Sequence, residues 1–273
     1  MNRLDIQCEL VERILVRFLR CEAGKFGFER ALLGLSGGID SAVSAALAAR
    51  AFGPEQVLGV LMPHRISNPS SESDARAVAA ALGIPTRKVD ISAMVDGYVE
   101  PNGVGDRLRR GNVMARARMI VLYDLSTEWR GLVVGTSNKT EILLGYTTQF
   151  GDSASALNPL GDLYKHQIYQ LARHFRLPAC VLEKAPSADL FAGQTDEGEL
   201  GFTYAEADRL LELMVDQRYG EDELVAAGFE RAFVRRVAQR IAQNQYKRVM
   251  PIIAKLSERT VTHDFRYLRS WGH

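Results

Sequence analysis

Between a short apolar run and a helix-forming run the chain reads Leu35-Ser36-Gly37-Gly38-Ile39-Asp40-Ser41. Glycines allow positive φ and a close backbone approach, so the N–H groups of such a turn and of the following helix start can converge on one anion. Ser36 and Ser41 add hydroxyl donors. Asp40 would repel a phosphate unless a divalent cation stood between them, which points to magnesium. The turn has neither the GxxxxGK[ST] of a Walker A loop nor the GxGxxG of a dinucleotide site. A plain Ser/Gly turn, with Ser36 or Asp40 capping the helix, accounts for the same residues and stays open here.

This chemistry needs a strand behind the turn and a helix after it. Apolar runs at Ala31–Leu35, Val57–Met62, Thr86–Val89 and Leu132–Gly135 alternate with helical patterns at Ser41–Phe52, Ser73–Leu82 and Asn112–Trp129. That alternation predicts an α/β fold with a mostly parallel open sheet, helices on both faces and a helical C-terminal part. In such a sheet ligands bind beyond the carboxyl ends of the strands, where the Ser36 turn would lie. The N-terminal segment 1–20 reads as an amphipathic helix. After Asp90 the chain loosens through Pro101-Asn102-Gly103. Two polar stretches, Gly145 to Asp162 and Ala185 to Gly201, are too long for simple turns and read as functional loops. Helical patterns return at Tyr204–Arg218, Glu221–Ala227 and Glu230–Asn244, and no boundary divides the 273 residues, so one domain over 1–273 is expected.

Composition narrows the function classes. The chain is 47% hydrophobic, and 34 Lys and Arg face 33 Asp and Glu, so no bulk charge favours nucleic acid or an anionic membrane. No apolar run approaches the roughly 20 residues of a membrane span. Three distant cysteines, Cys8, Cys21 and Cys180, without ligand spacing, suit a reducing cytoplasm. His64 follows the second strand and reads as a solvated loop residue near a nucleotide edge; Trp129 and Trp271 read as packing residues.

The string SGGIDS resembles the pyrophosphate loop of the N-type ATP pyrophosphatases, which implies adenylation with release of pyrophosphate. Four more strings follow in order: VVGTSNKTEILLGYTTQFGD (Val133–Asp152), NPLGDLYK (Asn158–Lys165), KAPSADLFAGQTDEGELGFTY (Lys184–Tyr204) and YKRVMP (Tyr246–Pro251). The set closely resembles ammonia-dependent NAD synthetase. That resemblance implies ATP-driven amidation of deamido-NAD by ammonia through an acyl-adenylate, with AMP and pyrophosphate released. It also implies a homodimer, with ammonia free or supplied by a separate glutaminase, because no glutaminase domain is recognisable.

Matched by motif, Ser36, Gly37, Gly38, Asp40, Ser41 and Thr136 would contact ATP, and Asp40 and Glu141 would hold Mg2+. Lys165 and Ser187 would lie near the phosphates and the adenylate. Arg116, Tyr123 and Lys247 would contact deamido-NAD, while Asp152 would orient or deprotonate ammonia. Arg109, Arg110 and Arg118 read as helix-surface charges. The chain departs from the family pattern at Gln149, where a lysine is usual, at Ala156 in place of an aspartate, and at Tyr246 in place of a histidine. These departures fall on the acceptor side. They keep open a paralogue acting on another carboxylate, beside a non-catalytic nucleotide-binding regulator. A sulfur-transfer or tRNA-modifying pyrophosphatase would need a catalytic cysteine pair or a basic face, and the sequence has neither.

Overall fold

The computed structural model describes residues 3–187, 195–249 and 251–261. Four strands, β1 (Ala31–Gly34), β2 (Val57–Leu61), β3 (Thr86–Lys88) and β4 (Leu132–Val133), form one parallel sheet in the order β3-β2-β1-β4. Ala31 pairs with Val57 on one side and Leu132 on the other. The strand order therefore reverses between β1 and β4, and their carboxyl ends flank the crevice of a topological switch point.

The described helices are α1 (Cys8–Gly24), α2 (Ile39–Phe52), α3 (Pro69–Leu82), α4 (Ser92–Val99), α5 (Arg107–Trp129), α6 (Lys139–Leu144), α7 (Lys165–His174), α8 (Ala179–Glu183), α9 (Asp196–Leu200), α10 (Tyr204–Leu211), α11 (Glu221–Ala226) and α12 (Arg231–Gln243). Successive strand side chains point to opposite faces, and helices cover both. Leu32, Leu58, Val60 and Val133 pack with Val95 of α4 and Met114, Val121 and Leu125 of α5. Ala31, Leu33, Val57 and Leu61 pack with Leu19 of α1, Leu47 of α2, Val78 of α3 and Ile168 of α7. Alanines line α2 nearly all round because it is enclosed by the sheet, α1, α3 and α7. A further cluster, Leu144, Tyr164, Leu210, Leu224 and Val234, joins α6 to the C-terminal helices.

Several helices start earlier than their apolar pattern predicts, for reasons of capping. Asn68 accepts from the Ser70 backbone N–H with Pro69 in the first turn, so α3 starts at Pro69 rather than Ser73. Asp106 accepts from Arg109, which moves the start of α5 from Asn112 to Arg107. The stretch after Asp90, expected to be loose, contains α4, held because Ile91, Val95 and Val99 bury against the sheet. The span Tyr204–Arg218 divides into α10 and a π-helical turn, Glu212–Asp216. Helix α7 had no expectation at all, and α9 lies inside the second polar stretch. Trp129 packs at the sheet face under the Arg30 guanidinium as expected, whereas Trp271 lies outside the described residues.

Candidate active site

The turn after β1 is shaped by Gly37, at φ +76°, where an added Cβ would sit 2.4 Å from the Ser71 carbonyl oxygen and 3.0 Å from Asp74 Cβ. No side chain fits there, and the turn presses directly on α3. The hydroxyls brace it. The backbone N–H groups of Ser36 and Gly38 donate to Ser41 Oγ (3.3 Å) and Ser36 Oγ (3.2 Å), and Ser41 Oγ donates to the Gly38 carbonyl at 2.9 Å. The N-cap of α2 is Gly38, with no side-chain cap. Neither Ser36 nor Asp40 caps the helix, which disposes of the plain capping turn, and the orphan N–H groups of α2 remain available to an anion. Asp40 stands in the first helical turn instead of the loop.

Across the switch point, β4 leads through Thr136 and Ser137 to α6. Asn138 caps that helix by accepting from the Glu141 backbone N–H at 3.0 Å, and the Glu141 carboxylate accepts from the Asn138 backbone N–H at 3.2 Å. The same Asn138 side chain, fully buried, donates to Asp40 Oδ1 at 2.8 Å. One amide thus sets the two carboxylates relative to each other. Sequence reasoning missed it, although the S/T/N-x-x-E spacing of Asn138 and Glu141 is a capping-box signal.

Lys165 opens α7, and its ammonium lies between the carboxylates, 2.5 Å from Asp40 Oδ2 and 3.2 Å from Glu141 Oε1, at 2% residue exposure. Its backbone N–H donates to Thr140 Oγ1, which donates to buried Asp208; Asp208 also accepts from the His166 N–H. These bonds fasten the start of α7 to α6. Burial pushes the Glu141 carboxyl up to about 8; Lys165 opposes the rise and Asp40 adds to it. Burial works against the Lys165 charge, but Asp40 and then Glu141 outweigh it and hold the ammonium above its ordinary range. Behind the lysine, Tyr204 donates to buried Asp196, and the Tyr146 hydroxyl lies between Asp196 and Glu199, closer to Glu199.

The first polar loop forms the other wall. Asp152 accepts from the Thr148 N–H at 2.7 Å, and burial raises its carboxyl above the usual range despite that bond and nearby Lys247 and Arg118. Lys247 donates to the carbonyls of Gly145 (2.7 Å) and Thr147 (2.9 Å), tying the C-terminal segment to the loop. Arg116 donates to the Gln149 carbonyl at 3.2 Å, and the Gln149 amide reaches the Tyr246 carbonyl at 3.5 Å. Two of the three departures therefore touch each other. The third, Ala156, lies with Tyr123 and Phe28 in a separate small hollow beside β4.

One cleft of about 1460 Å³ is lined by Ser36, Gly38, Asp40, Ser41, Arg116, Thr136, Glu141, Asp152, Lys165, Ser187 and Lys247, with Gln149 and Tyr246. It exceeds the roughly 300–1,000 Å³ of a typical small-molecule pocket. Of the sequence-predicted site residues, Gly37 turns toward α3 and Tyr123 is not brought to the cleft. Two expectations need correction. His64 is not a solvated loop residue: it is buried at the cleft wall, where its Nδ1 accepts from the Ile66 N–H, so Nε2–H donates to Asp96 at 3.2 Å. Burial lowers its pKa, and the Asp96 carboxylate opposes that shift. Arg118 is not a surface charge either, since it lines the cleft and donates to the Met62 carbonyl.

The profile of the family described as NAD synthase matches residues 11–251. An NH(3)-dependent NAD(+) synthetase of Trichlorobacter lovleyi is 56% identical over 272 residues, covering 100% of both chains. One of Chlorobium phaeovibrioides is 55% identical over 98% of this chain and 97% of its own. Among solved structures, an NMN synthetase from Francisella tularensis superposes with a TM-score of 0.82 at 30% identity, over 92% of this chain and 100% of that one. The NH3-dependent NAD synthetase from Campylobacter jejuni, in complex with the nitrate ion, gives 0.79 at 31% identity over the same shares.

Proposed function

Because this chain belongs to the NAD synthase family, we propose that it amidates deamido-NAD with ammonia, consuming ATP and releasing AMP, pyrophosphate and NAD. The observation that carries this reading is the convergence of Asp40, Glu141 and Lys165 beside the uncapped N-terminus of α2. The Ser36–Ser41 turn holds the ATP phosphates, with Thr136 and Ser187 at the rim. Asp40 and Glu141 would hold Mg2+. They fit it, because both already aim an oxygen at one cation position, and magnesium takes one or two carboxylates together with phosphate oxygens and waters. Bound there, the ion would neutralise charge building up on the phosphate oxygens.

A nicotinate carboxylate oxygen attacks the α-phosphorus and pyrophosphate leaves, with Lys165 supplying positive charge. Ammonia then attacks the acyl carbon, the carbonyl reforms and AMP departs. Asp152, at the cleft wall with its carboxyl raised above the usual range, accepts the proton the new amide sheds. Arg116 and Lys247 bind the acceptor. Tyr123 and Ile120, exposed on the outer face of α5, serve the expected homodimer, in which Tyr123 meets the substrate of the neighbouring subunit. Among the described residues no helix is long and apolar enough to cross a membrane, and all three cysteines are free thiols, which supports the cytoplasmic expectation.

A second reading, amidation of a different carboxylate, is favoured by Gln149, Ala156 and Tyr246 and by the fold match to an NMN synthetase. The test is NAD formation and pyrophosphate release in one tube with ATP, Mg2+ and ammonium, comparing deamido-NAD with nicotinate mononucleotide. Equal yields of NAD and pyrophosphate, with deamido-NAD preferred, support the first reading. Turnover of the mononucleotide alone supports the second.

A further inference from the structure

The ammonium of Lys165 occupies the point at which the two carboxylates converge, and it is shut off from solvent. Two part-buried carboxylates so placed repel each other, and a counter-charge between them relieves that repulsion. Lys165 meets that need in the free protein. It cannot keep that place once a divalent ion takes the same carboxylate oxygens, since two cations do not share one position. We propose that Lys165 is a tethered counter-cation that holds the place of the divalent ion, and that it gives up Asp40 and Glu141 for the phosphate oxygens when the nucleotide arrives with its metal.

The inference rests on the metal-site reading above, and the architecture suits it. The backbone of Lys165 is fastened through Thr140 and Asp208, so the four-carbon side chain can swing while the start of α7 stays fixed. Asn138 holds Asp40 Oδ1 and the Glu141 backbone whether or not the lysine is present, so the carboxylates keep their aim during the exchange. Bare metal must evict a cation that the chain keeps at high local concentration. Metal carried by ATP brings the anion that draws the lysine away. The device makes metal entry depend on nucleotide.

Mn2+ binding followed by electron paramagnetic resonance tests this without turnover. Wild-type protein should bind Mn2+ weakly alone and tightly with α,β-methylene-ATP. Lys165→Met should bind Mn2+ without nucleotide at least about tenfold more tightly than wild type, because a charge at contact distance is gone, and adding Asp40→Asn should abolish the gain. Equal nucleotide-free affinities in Lys165→Met and wild type overturn the proposal. Should Lys165→Met not fold, 15N-lysine spectra of the wild type decide: the buried ammonium resonance should shift when Mg2+ and the analogue are added, and an unmoved resonance overturns the displacement. If the wild-type complex with analogue binds no Mn2+ beyond the analogue's own share, or Asp40→Asn leaves that binding unchanged, the metal site itself is refuted and the counter-cation proposal with it.

Discussion

Replacing Asn138 with alanine removes two side-chain contacts that meet at one buried amide: the α6 cap at 3.0 Å and the bond to Asp40 at 2.8 Å. Loss of a helix cap costs about 0.5–2 kcal/mol, and loss of a hydrogen bond to a charged group about 1.5–3 kcal/mol. The two overlap in one side chain, so the expected destabilisation is about 2–4 kcal/mol, a fall in Tm of about 4–7 °C for a chain of this size. Denaturant unfolding measures it directly. The functional effect should be separate from the stability effect. With the amide gone, only the movable Lys165 side chain still links Asp40 to Glu141, and the loss of such a supporting partner weakens metal affinity or activity by about 10–100-fold. The assay is kcat/KM as a function of Mg2+ at saturating ATP, run well below the variant's Tm. Asn138→Asp sharpens the comparison, because it keeps an oxygen for the cap but sets a third carboxylate against Asp40. It should retain more of the stability than alanine and still lose the Mg2+ response. A folded Asn138→Ala protein with wild-type Mg2+ dependence would refute the reasoning.

Two further substitutions have defined outcomes. Gly37→Ala places a Cβ against the Ser71 backbone at a positive φ; it should cost at least about 1–2 kcal/mol from the backbone conformation alone and raise the KM for ATP, and an unchanged KM would mean that the turn does not hold phosphate. Asp152→Asn should abolish amide formation yet stabilise the protein at neutral pH. The folded carboxyl is raised by burial, so ionising it opposes folding as pH climbs from the ordinary carboxylate range through the folded value. The gain in Tm should therefore be present at pH 8 and absent at pH 3, and a variant less stable than wild type at pH 8 would contradict the assignment.

Much of the site could be read from the sequence because strand-turn-helix junctions write their chemistry locally. The Ser36–Ser41 turn and Glu141 each follow an apolar strand, and the fold brings them together because β1 and β4 are neighbours at the switch point. Lys165 matched by motif, but its place between the carboxylates depends on contacts across 125 and 24 residues, which no local pattern encodes. Asn138 was missed altogether: its capping-box spacing is a local signal, but its bond to Asp40 spans 98 residues. His64 and Arg118 were misjudged for a related reason: a polar residue after a strand and a charge on a helix both read as exposed until α4 and α5 pack on the sheet, where His64 meets Asp96 and Arg118 reaches the Met62 carbonyl. Helix α7 went unnoticed because its start is set by Tyr164, Gln167 and the Asp208 anchor rather than by a capping Ser or Thr.

The central claim is that the acceptor carboxylate attacks the α-phosphorus of ATP held at the switch point. Deamido-NAD carrying 18O in its nicotinate carboxylate tests it most directly. Adenylation followed by ammonia attack leaves one labelled oxygen of that carboxylate on the released AMP and the other in the NAD amide. Mass spectrometry should find one 18O per AMP and none in pyrophosphate. Label in inorganic phosphate with ADP as the co-product, or AMP free of label, would contradict the account.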